Sequence, residues 1–374
     1  MNILDTLLFG NGINIQYGGE DNLNKAIILR AIDNVYKDKI PKHVLIDEPD
    51  LLLSFFGTLF REIDAVLKGE YNQLAITSDE KKSISYFLEY YSSKKSLNIT
   101  SIGFEDYYLV LDLMFRKNKI TNPDAYFTRE TFKRFFIHSI YNDGKVNQIY
   151  KYFPDNFRDF FNDFDTLFTT NYDRNIEFFT NRKVYYLHGA FHIKADVYDE
   201  NSLRNYMSDR PLDNIEIDPN YHHLYSNALT TYNGNHKLFS IKQGLHANQA
   251  IEKFKYAYST QEGVRRDIES WANDDNELVR KLHESIKLKD DNPKLAFAES
   301  YPIKEFETIK GNLTILGLAP NNDTHIFDII NNNDNIDKVT YYYYSSNQNH
   351  QIENMLDNKT LILKDVKLLW NKYK

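Results

Sequence analysis

The stretch LDTLLFGNGIN, residues 4–14, decides the fold of this chain. Its apolar run, Leu4 to Phe9, ends in Gly10-Asn11-Gly12, and a helical pattern of apolar residues follows from about Asn22 to Val35. A buried strand, a tight glycine turn and a helix produce residues in this order. The sequence therefore predicts a βα unit at its start.

Five further short runs of apolar or aromatic residues predict strands. They are Thr166–Thr170, Val184–Leu187, Leu313–Leu316, Val339–Tyr344 and Thr360–Leu363. Continuous apolar runs bounded by polar turns are typical of strands buried on both faces of a mainly parallel sheet. Together with the first run they make about six strands, the size of a doubly wound sheet. The predicted fold is α/β, with a Rossmann-like, mainly parallel sheet.

Two long segments interrupt the strand pattern and predict largely helical insertions. The first, 41–161, carries an apolar stripe at helical spacing, which we interpret as core. The second, 196–302, is irregular at first and helical from about Asn248 to Ile286. The sheet is then a discontinuous core formed by 1–40, 162–195 and 303–374.

Composition restricts the classes of function. The 374 residues are 42% hydrophobic and 26% charged, as in an ordinary globular protein, and a net charge of −8 argues against unspecific binding to nucleic acid or anionic membranes. The chain has no cysteine, which excludes thiol nucleophiles and thiolate zinc modules. No apolar run is long enough for a membrane span, and the first residues lack the pattern of a signal peptide. We expect a cytoplasmic protein without direct nucleic-acid or membrane contact.

Polar residues follow two of the predicted strands, where parallel sheets place ligand-binding groups. Thr170, Asn171 and Asp173 follow one strand, and His188 follows the next. Asn171 is suited to hold a water or hydroxyl, Asp173 to accept from an amide, and His188 to move a proton. Each also has a structural interpretation, because Asn and Asp often cap the following helix and a single His is often merely packed.

The glycine turn and one pair of histidines each have two interpretations. A glycine turn lets backbone N–H groups approach a diphosphate, but a G-x-G triplet also occurs as a merely structural turn. His188 and His192 lie four residues apart, as zinc ligands on a helix do. They follow a strand, however, and lack the glutamate of the H-E-x-x-H motif, so we expect no metal.

The conjunction of four motifs resembles the sirtuin superfamily. In chain order these are GNGIN, TTNYD, LHG and LTILGLAPNND. They are most similar to the divergent bacterial sirtuin-like proteins of anti-phage defence, including abortive-infection families, and Phe104-Glu105-Asp106 resembles an acidic element there. The matching segments cover a minor part of the chain, and both insertions match loosely.

The resemblance implies a Rossmann-like NAD-binding fold and an NAD hydrolase that releases nicotinamide and ADP-ribose. Asn171 would position water and ribose hydroxyls, Asp173 would hold the nicotinamide amide, and His188 would be the general base. The glycine turn would contact the diphosphate side, and Gly317 and Asn321 would line the far wall. The full set implied to bind NAD is Gly10, Asn11, Gly12, Asn14, Thr170, Gly317 and Asn321.

Two departures from ordinary sirtuins affect the expected activity. The four-cysteine zinc module is missing, and GNGIN replaces the usual alanine and serine of the turn. Both disfavour protein deacylation and favour water as the acceptor. The family also implies a homo-oligomer, with a phage-responsive partner such as a HerA-type ATPase that translocates DNA. The alternative is a non-catalytic module that senses NAD or ADP-ribose and regulates a partner protein.

Overall fold

A single parallel sheet organises the larger part of the molecule. The structure, a computed structural model, describes residues 4–40, 49–121, 124–194, 218–232 and 234–374. The strands found in those ranges are β1 (Asp5–Phe9), β2 (Thr166–Thr169), β3 (Tyr185–Tyr186), β4 (Gly311–Leu316), β5 (Ile336–Tyr343) and β6 (Thr360–Asp365). Their order is β3-β2-β1-β4-β5-β6, and all pairings between them are parallel. This is the order of a doubly wound, Rossmann-like sheet, which confirms the predicted fold class.

Helices account for most of the remaining described chain. Before β2 these are α1 (Gly12–Gly18), α2 (Asn24–Tyr36), α3 (Pro49–Leu67), α4 (Ser78–Ser92), α5 (Asp106–Lys117), α6 (Asp124–Tyr141) and α7 (Phe157–Asn162). After β2 they are α8 (Asn175–Thr180), α9 (Asn235–Thr260), α10 (Glu262–Ser270), α11 (Glu277–Asp291), α12 (Ile303–Glu307), α13 (Thr324–Asn331), α14 (Ser346–Met355) and α15 (Val366–Lys372). None of the described helices is both long and apolar enough to cross a bilayer.

The apolar runs of the central strands form the core of the sheet. Leu8 of β1, Phe168 of β2 and Ile315 of β4 are almost fully buried in one hydrophobic cluster. Burying such side chains from water stabilises the fold by about 1.5–3 kcal/mol each. Strand β6, in contrast, lies at the edge of the sheet, and its residues alternate between exposed and half-buried. The prediction that every strand is buried on both faces is therefore wrong for β6.

The apolar stripe of the first predicted insertion is core, as expected. It lies on α3, where Leu52, Phe56, Leu59 and Ile63 are buried. The ring of Phe56 contacts four aromatic rings of α5 and α6 at centroid distances of 4.7–5.8 Å. The rings that surround it belong to Tyr107, Phe132, Phe135 and Phe136. Aromatic packing, and not a cofactor, explains the abundance of phenylalanine here.

The described chain divides into two compact units. The first comprises Met1–Ala190, Ala228–Leu238 and Pro302–Lys374 and contains the sheet. The second comprises Phe191–Asn227 and Phe239–Tyr301 and has a small core of its own around Tyr258, Ile268 and Ile286. The second predicted insertion begins within 195–217, which lies outside the described residues. The domain boundaries drawn from the sequence stay a prediction.

The winding direction of the sheet reverses between β1 and β4. Connections from β1 lead to β2 and β3 on one side, and β4 leads to β5 and β6 on the other, so the direction of winding reverses between them. Open α/β sheets bind ligands outside the strand ends at such a reversal. The register also aligns the strand ends, because Phe9 pairs with Thr169 and Leu316, and Thr169 pairs with Tyr186. The segments that follow these four strand ends therefore all begin at the carboxyl edge of the sheet.

Candidate functional site

The turns that follow β1 and β4 pack directly against each other. The N–H of Gly12 donates to the Gly317 carbonyl at 2.9 Å, and Gly317 has a φ of +75°. A Cβ on Gly12 would lie 2.5 Å from the Gly317 Cα, and a Cβ on Gly10 would lie 2.9 Å from the Gly317 oxygen. The close approach of two backbones therefore requires glycine at these positions whether or not a ligand binds. Gly317 lies against the glycine turn and not across a cleft from it, because β1 and β4 are neighbours.

We expect Gly12→Ala to lower the free energy of unfolding by about 1–3 kcal/mol, because the new methyl group overlaps backbone that cannot rotate away. Urea unfolding measures the loss. The control is Gly263→Ala in α10, where a Cβ meets no atom within 4 Å and helix propensity favours alanine by about 1 kcal/mol. Equal stability of Gly12→Ala and the native chain would show that the two turns are not packed in this way.

Asn14 and Asp173 form the centre of a buried polar network. The Asn14 amide nitrogen donates to Asp173 Oδ2 at 2.6 Å, and Asn14 Oδ1 accepts from the Asn175 side chain at 3.1 Å. Asp173 Oδ1 accepts the backbone N–H of Asn175 at 3.0 Å, a local turn bond made one residue before the N-cap of α8, which is Arg174. Burial raises the pKa of Asp173, and the Asn14 hydrogen bond opposes that rise. The network joins the turn after β1 to the turn after β2.

Replacing Asn14 with alanine should destabilise the protein by about 1–3 kcal/mol, since the Asp173 carboxylate would stay buried without its best donor. The matched control is Asn347→Ala, because Asn347 is exposed on α14. Thermal unfolding of both variants, followed by circular dichroism, provides the comparison. If both variants unfold at the same temperature as the native protein, Asn14 does not stabilise the buried Asp173.

Asn171 differs from these neighbours because its side chain is left available. It is 8% exposed, and its backbone N–H donates to Thr169 Oγ1 at 3.0 Å. Its side-chain amide makes no hydrogen bond to another residue in the described part of the chain. A polar group at a strand end with this combination of burial and free hydrogen-bonding capacity is suited to a ligand.

The other residues implied to bind NAD lie around the same edge. Thr170 is half-buried, and its backbone N–H donates to the Phe9 carbonyl at 3.2 Å. Asn11 is exposed, and its side chain donates to the Asn22 carbonyl at 2.9 Å. Asn321 is exposed in the turn that precedes α13. Contacts of these residues with a dinucleotide stay a prediction.

His188 lies two residues beyond the end of β3 and contacts a second histidine. It is 2% exposed, and its Nε2 lies 3.0 Å from Nε2 of His325, which has no exposed surface. Its Nδ1 lies 3.9 Å from Asp323 Oδ1. The two rings are nearly parallel, at a centroid distance of 5.1 Å. β4 and the start of α13 bring His325 and Asp323 to the histidine that the sequence singled out.

The ion pair of Lys237 with Glu105 contributes to the electrostatic environment of His188, His325 and Asp323. Lys237, at 1% exposure, places its ammonium 2.5 Å from Glu105 Oε1. The acidic element that precedes α5 thus has a partner in α9. Asp106, the next residue, accepts from the Tyr91 hydroxyl, and burial raises its pKa to about 6.

Burial is the largest influence on the pKa values of His188, His325 and Asp323. It lowers the pKa of His188 well below its ordinary value, and the Lys237 and His325 charges act in the same direction. The pKa of His325 is lowered for the same reason, first by burial and then by Lys237. Burial raises the pKa of Asp323 to about 7, although the Lys237 charge opposes the rise. Both imidazoles are therefore neutral at pH 7.

The structure brings Asn14, Asn171, Asp173 and His188 to one edge of the sheet, together with the glycine turn. Sequence reasoning missed His325, Asp323 and Lys237. The end of β4 offered a signal for the first two, since Asp323 and His325 follow a predicted strand as Asp173 and Asn171 do. Comparisons of the chain with protein-family models, with curated proteins and with solved structures gave no significant match.

Proposed function

We propose that the protein hydrolyses NAD to nicotinamide and ADP-ribose at the carboxyl ends of β1, β2 and β3. The observation that carries this proposal is the placement of Asn171 and His188. Each lies two residues beyond a member of the pair Thr169 and Tyr186, which are in register on adjacent strands about 4.8 Å apart. The side chains of Asn171 and His188 thus start from the same level of the sheet. The first is an amide with no partner among the described residues, and the second is a neutral imidazole.

The reaction needs little more than these two groups. Nicotinamide leaves as a neutral molecule from a cationic glycoside, so no general acid is required. The protein must stabilise an oxocarbenium-like ribose and deliver water to it, as glycoside-cleaving sites do. Neutral His188 would accept the proton of that water, and Asn171 would hold the water or the ribose hydroxyls.

The hydrogen bonds of Asp173 support a structural role for this residue. Both of its carboxylate oxygens accept hydrogen bonds inside the protein, from Asn14 and from the Asn175 backbone. Its contribution to the nicotinamide amide therefore requires one of these bonds to be shared with the substrate. We assign Asp173 first to positioning the segment that carries Asn171.

The motif resemblance supplies the biological setting of the proposal. We infer a cytoplasmic enzyme of anti-phage defence that depletes NAD once it is activated. Control would involve a homo-oligomer or a phage-responsive partner such as a HerA-type ATPase. Water as the acceptor agrees with the lack of cysteine for a zinc module of the kind that shapes an acyl-lysine peptide site.

Chromatography of the products after incubation of the purified protein with NAD tests the proposal. We expect nicotinamide and ADP-ribose in equal amounts, and a cyclic product in place of ADP-ribose would show that water is not the acceptor. The competing function is a non-catalytic module that senses NAD or ADP-ribose. Binding of NAD measured by calorimetry, without release of nicotinamide, would favour that module and contradict hydrolysis.

A further inference from the structure

His188, His325 and Asp323 form a cluster with the composition of a metal centre. One donor atom from each side chain lies within 4.8 Å of the donors of the other two, and all three residues belong to the unit that contains the sheet. They come from two separate parts of the chain, the segment after β3 and the segment after β4. Two imidazoles and a carboxylate are a ligand set of catalytic zinc sites.

The hydrogen bonding of His325 indicates that the cluster is incomplete. This residue has no exposed surface, yet its Nδ1 finds no hydrogen-bond partner among the described residues. Its Nε2 faces only the Nε2 of His188. Buried polar atoms are almost always satisfied, so a histidine with one imidazole nitrogen as its sole partner calls for an explanation. A cation between the rings would bind both facing Nε2 atoms, and Nδ1 of His325 would then carry the ring hydrogen.

The distances fit a small transition-metal ion. Nitrogens bound to zinc at about 2.0–2.1 Å in a tetrahedral site lie roughly 3.3 Å apart. The observed separation of 3.0 Å needs an opening of only a few tenths of an ångström. Asp323 Oδ1 lies 3.9 Å from Nδ1 of His188, the ring nitrogen that does not face His325, so the carboxylate must shift to reach an ion bound at Nε2.

The charges that surround the cluster allow a divalent cation. Lys237 is the charge that opposes it, because this ammonium acts on both histidines and on Asp323. Lys237 is paired with Glu105, however, and this salt bridge offsets much of its field. Zinc binds neutral imidazoles and a deprotonated carboxylate, and a cation at this position would itself favour the charged form of Asp323.

We propose that His188, His325 and Asp323 bind a divalent transition cation of the zinc class, and that the bound cation inhibits the enzyme. The second half of the proposal rests on the proposed function. Coordination occupies the imidazole that would take the proton from water, and the cation repels the positively charged nicotinamide ring of NAD. The site would therefore hold the enzyme inactive while the metal is bound.

Metal binding is tested on untagged protein that has been freed of metal with a chelator. We expect one equivalent of Co²⁺ to give the visible absorption of a protein-bound ion and one equivalent of Zn²⁺ to displace it. His325→Gln keeps the volume of the side chain and a hydrogen-bonding group, and should weaken Zn²⁺ binding by at least about 10- to 100-fold. Asp323→Asn should weaken it as well. Circular dichroism shows whether each variant is folded.

The matched control is His350→Ala, which removes an exposed histidine that lies 3.3 Å from Glu353 on α14. We expect this variant to bind Zn²⁺ as the native protein does. Equal affinity in the native protein and His325→Gln would overturn the proposed site, and so would loss of binding in His350→Ala.

Nicotinamide release with and without Zn²⁺ tests inhibition. We expect one equivalent of Zn²⁺ to suppress release in the native protein and a chelator to restore it. If Zn²⁺ binds but no nicotinamide appears under any condition, the proposed function fails and the metal site stands. If nicotinamide is released at a rate that Zn²⁺ does not change, the proposed inhibition fails and the proposed function stands.

Discussion

Replacing His188 with alanine should lower the rate of nicotinamide release by about 10²- to 10⁴-fold, the usual contribution of a positioned general base. Asn171→Ala should cost about 10²-fold, because the attacking water or the ribose would no longer be held in place. Both effects should appear mainly in kcat, since neither group carries most of the binding of a large dinucleotide. Steady-state release of nicotinamide, measured with saturating NAD, gives kcat.

Two control variants separate catalysis from folding. His350→Ala and Asn347→Ala remove the same kinds of side chain from exposed positions on α14 and should keep the native rate. Circular dichroism and thermal unfolding should show that the two site variants are folded. Native rates in both His188→Ala and Asn171→Ala would end the assignment of this edge of the sheet as the active site.

Lys237→Met should destabilise the protein by about 3–5 kcal/mol at pH 8, because it leaves Glu105 as an unpaired charge with 19% of its side chain exposed. Urea unfolding measures the change. The control is Lys253→Met, because Lys253 is exposed on the same helix and should contribute little. Combining Lys237→Met with Glu105→Gln should recover most of the loss, since the double variant buries no charge.

The destabilisation by Lys237→Met should also depend on pH. Burial raises the pKa of Glu105, and removal of the lysine removes the charge that opposes that rise. The folded variant then holds its proton more tightly than the unfolded chain does, so its stability falls as pH rises through the folded pKa. The deficit should be smallest below about pH 4.3, where glutamate is protonated in both states. A deficit that is the same at pH 4 and pH 8 would show that the glutamate charge is not its cause.

Local patterns in the sequence were sufficient to predict the sheet. The central strands bury short apolar runs, and the run from Leu4 to Phe9 and that from Leu313 to Leu316 coincide with β1 and β4 to within two residues. Burial of these runs depends on neighbours that any parallel sheet provides. The edge position of β6 was not predictable, because Thr360–Leu363 is as apolar as the runs of the central strands. Only the strand order makes β6 an edge strand.

The candidate site was predicted only where residues directly follow a strand with a recognised motif. Asn171, Asp173 and His188 were found in this way. His325 and Lys237 were not, because their roles depend on contacts across 137 and 132 residues of chain, with His188 and Glu105 respectively. The sequence suggested that the glycine turn contacts a diphosphate. In the structure its closest contact is Gly317, more than 300 positions away in sequence.

The pairing of β1 with β4 has a consequence for synthesis of the protein. β1 is made long before β4, one of the two strands that pair with it, so one edge of β1 stays unpaired in the nascent chain until Gly311–Leu316 has been made. Contacts this distant form late and slowly. A ribosome that stalls before Gly311 would release a fragment that lacks β4 and with it His325. Any activity of this edge of the sheet would then arise only after α13 has been made.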